Sequence, residues 1–106
     1  MFGIYRKQEN GFDKIVLKND QEDCTIEIIP SCGAMLHAFV IKDGKGEINL
    51  IDSYSSKKEY DEATESTGFK GLKLSPFPCR INKGSYIFNG TAHQFQPNRS
   101  GVVLHG

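Results

Sequence analysis

Two side chains in this sequence have the chemistry to hold a polyol. Arg80 carries a planar fork of five donors that never deprotonates, suited to bridging neighbouring sugar oxygens. His105 can donate from one ring nitrogen while a neighbour fixes the other. Cys79 adjoins the arginine and is a third candidate for ligand contact, although a cysteine is more often a small buried hydrophobe. Taken singly, each has an ordinary explanation. An arginine ahead of a strand is commonly a solvated edge charge, and a lone histidine is commonly a surface or satisfied buried side chain. Their order is what gives them weight: Pro78-Cys79-Arg80-Ile81-Asn82-Lys83-Gly84, then a hairpin signal at Asn89-Gly90, then Leu104-His105-Gly106. An arginine leading into one strand and a histidine at the far end of another can set two polar heads over one sheet face.

Strands must position these groups, and the first half of the chain reads as an antiparallel meander. Apolar and polar residues alternate over Phe2 to Gln8, Phe12 to Lys18, Cys24 to Ile29 and Met35 to Lys42, with turn-competent residues between. Asp43-Gly44-Lys45-Gly46 is a hairpin signal that returns the chain into a fifth strand over Glu47 to Ile51. Ile15 and Leu17 share one face, as do Ile26 and Ile28, while Glu27 points away. That pattern predicts one wet face and one face seeking a partner sheet. Met35 to Lys42 carries apolar residues on both faces, so both should be covered there.

Ser56 and Glu59 have capping-box spacing for a short helix through Ala63, with too few apolar positions for a core helix. Its acidic residues Glu59, Asp61, Glu62 and Glu65 read as a solvated face rather than a metal site. Pro76 and Pro78 push the approach to Arg80 toward an edge or a loop. Ser85 to Phe88 and Thr91 to Phe95 form the clearest hairpin, with a type I′ turn. His93 reads as a cross-strand partner on the Tyr86 side, and His37 as a core histidine.

Thirteen basic residues balance thirteen acidic ones, and neither sign forms a block. The electrostatic footprint of a nucleic-acid or anionic-membrane binder is therefore missing, and a neutral partner fits better. Cys24, Cys32 and Cys79 lack metal-ligand spacing, and the first residues hold no apolar run of signal-peptide length. They read as reduced thiols in a cytoplasmic protein. The sequons at Asn89 and Asn98 then mark only surface turns.

The ordered set Arg80, Ile81, Gly84, Tyr86, Gly90, Leu104, His105 and Gly106 resembles the N-terminal third of the aldose 1-epimerase (galactose mutarotase) family. That family carries an Asn-Arg-Ile-x-x-Gly-x-Phe/Tyr-x-x-x-Gly-like segment followed by Leu-His-Gly. The resemblance implies an all-β, antiparallel β-sandwich of the galactose mutarotase-like supersandwich type, with residues 1–106 forming the N-terminal part of a single domain. It implies interconversion of the α and β anomers of an aldose such as galactose or glucose, with no cofactor and no metal. Arg80 and His105 match residues that hold the sugar. The family's catalytic acid, a second histidine, and its catalytic base, a glutamate, lie farther along than this sequence runs, so the chain by itself should not turn over sugar.

The family's Gly-Arg-x-x-Asn-Arg-Ile run is replaced by Leu74-Ser75-Pro76-Phe77-Pro78-Cys79-Arg80-Ile81, which puts a weakly hydrogen-bonding thiol where the asparagine stands. A different aldose, a disaccharide or a modified sugar is then open. A non-catalytic carbohydrate-binding protein of the same fold is the alternative reading. A free-standing β-domain is a third, and it would carry exposed sheet edges and an unfilled inner face that favour self-association.

Overall fold

The computed structural model describes residues 1–105. They form two compact units, Met1–Lys73 and a second beginning at Leu74. The first holds the strands β1 (Phe2–Glu9), β2 (Phe12–Asn19), β3 (Cys24–Ile29), β4 (Met35–Asp43) and β5 (Gly46–Asn49), and the helix α1 (Lys57–Thr67). The five strands pair in sequence order, antiparallel throughout. Asn10 and Gly11 both take positive φ, 52° and 81°, as a two-residue type I′ hairpin requires. Strand β5 stops at Asn49, short of the expected Ile51. The Asn49 amide oxygen takes the N–H groups of Phe39 and Ile51 at 3.0 and 3.1 Å, a side-chain competition with the ladder.

The two faces of this sheet have unlike surroundings. One side buries Phe12, Val16, Ile29, Met35 and Ala38 together with Cys32 and Tyr54, and Tyr60 and Leu72 pack against that cluster. The other side carries Ile4 opposite Leu17, Leu17 opposite Ile26, Ile26 opposite Phe39, and Ile41 opposite Ile48. These residues are half-buried or exposed, with Ile4 73% exposed. The face bearing Glu27, expected to be wet, is the covered one. The correction has a physical cause: Lys14, 3% exposed, places its ammonium 2.8 Å from Glu27 and 2.9 Å from Glu9, so charges that would keep this face in water neutralise one another within it.

Strand β4, expected to be covered on both faces, buries Met35, His37 and Ala38 on the core side only, while Leu36, Phe39 and Ile41 stay half-buried because no second layer lies over them among the described residues. His37 is the extra residue of a bulge, since Glu27 pairs with Ala38 and Ile28 with Leu36. Its ring lies against Phe12 at 5.2 Å between centroids, and its carbonyl accepts from the Ser53 hydroxyl.

Helix α1 runs further than expected, ending where Gly68 at φ 89° donates its N–H to the Thr64 carbonyl. Its start is capped by Ser56, whose hydroxyl accepts from the Glu59 N–H at 3.1 Å. The Glu59 carboxylate reaches back to the N–H and hydroxyl of Ser55, both at 2.6 Å. The helix is no bare surface excursion. Tyr60 turns its ring edge-on to Tyr54 and Phe12 and so roofs the core from a helix whose residues are all half-buried or exposed. The acidic residues pair locally, Asp61 with Lys57 and Glu62 with Lys58. Gly71 sits so close to β4, with its carbonyl accepting from the Leu36 N–H at 2.9 Å, that a Cβ there would drive into the Leu36 carbonyl.

The second unit contains β6 (Arg80–Asn82), β7 (Ser85–Phe88), β8 (Thr91–Gln94) and β9 (Val102–Leu104). Strands β7 and β8 make the expected hairpin, with Asn89 and Gly90 at φ 48° and 76°. Strands β6 and β9 pair with each other. Among the described residues no sheet closes into a sandwich or a barrel, and no helix is long and apolar enough to cross a membrane.

Candidate functional site

The arginine strand and the histidine strand are direct neighbours, although the whole β7–β8 hairpin lies between them in sequence. Arg80 stands opposite Leu104, Ile81 opposite Val103 and Asn82 opposite Val102. Directly opposed residues share a face, so Arg80 and Leu104 start out on the same side of the ribbon, and the Arg80 side chain is exposed.

The segments between these strands are held by main-chain bonds. The Gly84 N–H donates to the Ile81 carbonyl at 3.1 Å, and Phe95 donates to the Gly84 carbonyl at 2.8 Å, which carries the hairpin ladder one pair past β7. Gly84 is buried at φ 65°, where a Cβ would meet the Phe95 carbonyl oxygen at 2.5 Å. The motif glycine is therefore a steric requirement. On the return, the Asn98 carboxamide oxygen accepts from the N–H groups of Ser100 and Val102 at 3.0 and 3.3 Å, and Lys83 donates to the Gly101 carbonyl at 3.1 Å. Asn98, read from the sequence only as part of a surface sequon, organises the turn that delivers β9. The Asn-x-Ser-Gly spacing was the available signal, since asparagine caps its own turn.

One rung beyond Arg80 and Leu104, Cys79 and His105 close on each other. The His105 N–H donates to the Cys79 carbonyl at 2.8 Å, and the Cys79 N–H donates to His105 Nδ1 at 3.0 Å. A regular ladder would send that second N–H to the carbonyl of the opposite residue. Here both residues turn into the left-handed region, φ 64° and 56°, and the imidazole nitrogen takes the carbonyl's place. The ring thus sits at the end of the ladder, in line with the strands, with Arg80 one residue along. Of the three candidates, the structure joins Cys79 to His105 by hydrogen bonds and sets Arg80 beside them in sequence, its side chain in solvent. Cys79 makes its contribution through its main chain.

The other histidines have structural surroundings. The His93 and Tyr86 rings stack across the hairpin at 5.0 Å, the expected cross-strand pair. His37 is buried, with Nδ1 lacking a hydrogen-bond partner. Desolvation first, and then the neighbouring Lys14 ammonium, push its pKa below the ordinary imidazole value, against the opposing pull of Glu27 and Glu9. The hydrogen bonds from Lys7 and then Lys14 hold the Glu9 carboxyl down at about 2.

The family described as aldose 1-epimerase matches residues 13–106. Among solved structures, the chain is similar to a galactose 1-epimerase from Lactobacillus acidophilus NCFM, with 23% identity and a TM-score of 0.60. That similarity covers 99% of this chain and 29% of the bacterial one, so the chain spans less than a third of its solved relative. No curated protein matches the sequence. The match takes in four strands of the first sheet and the whole of the β6–β9 ladder with its Arg-Ile and Leu-His segments, and on it the chain belongs to the aldose 1-epimerase family.

Proposed function

We propose that this chain is the N-terminal portion of an enzyme that interconverts the α and β anomers of an aldose, and that Arg80 and His105 hold the sugar. One observation carries the reading: the strand opened by Arg80 and the strand leading to His105 are hydrogen-bonded neighbours, inside a family match that reaches from residue 13 to residue 106. Ring opening of a hemiacetal needs a base to take the anomeric hydroxyl proton and an acid to protonate the ring oxygen, with the roles reversed on closure. The proton-transfer pair, a histidine and a glutamate, belongs to the remainder of the protein. The present residues retain the ring while the C1–C2 bond turns to offer the other carbonyl face.

In the same reading, the Ile4, Leu17, Ile26 and Phe39 face is the inner layer of a β-sandwich completed by further strands. The protein works in the cytoplasm on a monosaccharide. Without that second layer, the exposed edges β1 and β5 favour self-association.

Polarimetry of mutarotation on the full-length protein tests the activity, with acceleration expected for galactose or glucose. Arg80→Ala should weaken sugar binding by about 10- to 100-fold, the equivalent of the roughly 1.5–3 kcal/mol of a charge-assisted hydrogen bond. No acceleration for any common aldose would overturn the enzymatic reading. A sugar-binding protein without catalysis is the second reading, supported by the thiol of Cys79 at the family's asparagine position. It requires that the downstream histidine and glutamate be missing and that aldoses still bind.

A further inference from the structure

We propose that Cys79 is the positioning residue for His105: its main-chain N–H locks the imidazole as the neutral Nε2–H tautomer, so the ring meets an aldose as a hydrogen-bond donor to a sugar oxygen. The inference rests on the sugar-holding role assigned above and specifies how that role is set.

The geometry leaves one solution. An amide N–H can only donate, so Nδ1, 3.0 Å from the Cys79 nitrogen, must accept through its lone pair. A neutral imidazole that accepts at Nδ1 carries its proton at Nε2. The contact is fixed at both ends. The reciprocal bond from the His105 N–H to the Cys79 carbonyl, 2.8 Å, closes a ring of two hydrogen bonds between the same two residues. The neighbouring pairs of Arg80 with Leu104 and Ile81 with Val103 anchor that ring to a ladder. The left-handed backbone at both positions is what turns the imidazole into the rung. A donor at Nε2 selects an acceptor on the ligand, and the hydroxyl and ring oxygens of a pyranose are such acceptors. With Arg80 also a pure donor, the two side chains together demand acceptors from whatever they hold. The thiol takes no part, so residue 79 acts through an atom every amino acid but proline possesses.

Long-range proton–nitrogen correlation NMR of the full-length protein, labelled with nitrogen-15 and held at pH 8, reads the tautomer directly. The expected pattern for His105 has a pyrrole-type Nε2 and a pyridine-type Nδ1, and Cys79→Gly, which keeps the N–H and removes the thiol, should retain it. A pyrrole-type Nδ1, or an averaged pair of nitrogens, overturns the proposal. So does loss of the pattern in a folded Cys79→Gly protein. Galactose or glucose at saturation should then shift the Nε2 resonance while Nδ1 stays. If calorimetry shows the sugar bound and Nε2 does not move, the donor assignment is wrong while the sugar-binding reading survives. If no aldose binds, the sugar-binding reading and the donor role fall with it, and the tautomer pattern still decides whether Cys79 fixes the ring.

Discussion

Lys14→Met should destabilise the protein by about 3 kcal/mol, and a second substitution should give most of it back. The ammonium is 3% exposed and lies within 3 Å of two carboxylates of unequal burial, Glu27 at 15% and Glu9 at 40%. Removing the cation leaves both acids without it. Glu9 keeps Lys7 at 2.8 Å and has water at hand, so it adapts. Glu27 sits in the covered face without its cation, and breaking a buried pair in this way costs about 3–5 kcal/mol. Its residual exposure sets the value at the low end. Methionine follows the lysine stem closely, so little cavity is added. A loss of 3 kcal/mol is roughly a 150-fold fall in the folding equilibrium. The double variant Lys14→Met/Glu27→Leu removes both charges and should return to within about 1 kcal/mol of the parent, since apolar replacement of a buried pair is near neutral. The four tyrosines, in a sequence without tryptophan, report urea unfolding by fluorescence. The single variant should also raise the His37 pKa, because the cation that opposes its protonation is gone while Glu27 remains. A single-variant loss under about 1 kcal/mol, or a double variant no better than the single, refutes the account of a neutralised covered face.

Gly84→Ala places a Cβ 2.5 Å from the Phe95 carbonyl at positive φ, and should cost about 2–4 kcal/mol in urea unfolding, with weaker sugar binding by calorimetry as β6 shifts. Cys79→Asn should stabilise by roughly 0.5–1 kcal/mol, because asparagine tolerates the left-handed backbone better than cysteine; a lower urea midpoint would contradict this. Acid should weaken the fold in two stages. The His37 pKa is depressed, so the unfolded chain binds more protons below about 6.5 and stability falls as pH drops through that value. Glu9, held at about 2 against an ordinary 4.5, contributes stability above 4.5 that is lost as pH falls toward 2. Urea midpoints across this range should show both stages, and His37→Leu should remove the first.

The turns and most strands were legible because their signals are local. Asn10-Gly11 and Asn89-Gly90 each admit few backbone solutions, Asp43 to Gly46 holds a turn around Gly44-Lys45, and the alternation between these turns has a single period. Alternation sorts residues onto two faces without saying which face has a neighbour. Ile15 and Leu17 looked like the side seeking a partner sheet, and Glu27 like the wet side, because the pairing of Lys14 with residues 5 positions before and 13 positions after it is a tertiary fact. Tyr60 was a single ring in a polar helix, and only its contacts with Tyr54 and Phe12 make it a roof. At the site, the order of Arg80 and His105 was readable, and the direct pairing of their strands across an intervening hairpin is a tertiary fact. The role of Cys79 was not, since a left-handed main chain leaves no mark in a cysteine codon.

The uncovered row of Ile4, Leu17, Ile26 and Phe39 also governs how this chain behaves at the bench. A hydrophobic dye such as ANS will light up on the folded chain by itself, so its emission cannot serve as the mark of a loosely packed intermediate. Near-ultraviolet dichroism from Tyr54 and Tyr60, locked edge to face at 88° on the opposite side of the sheet, is the signal that follows loss of fixed packing.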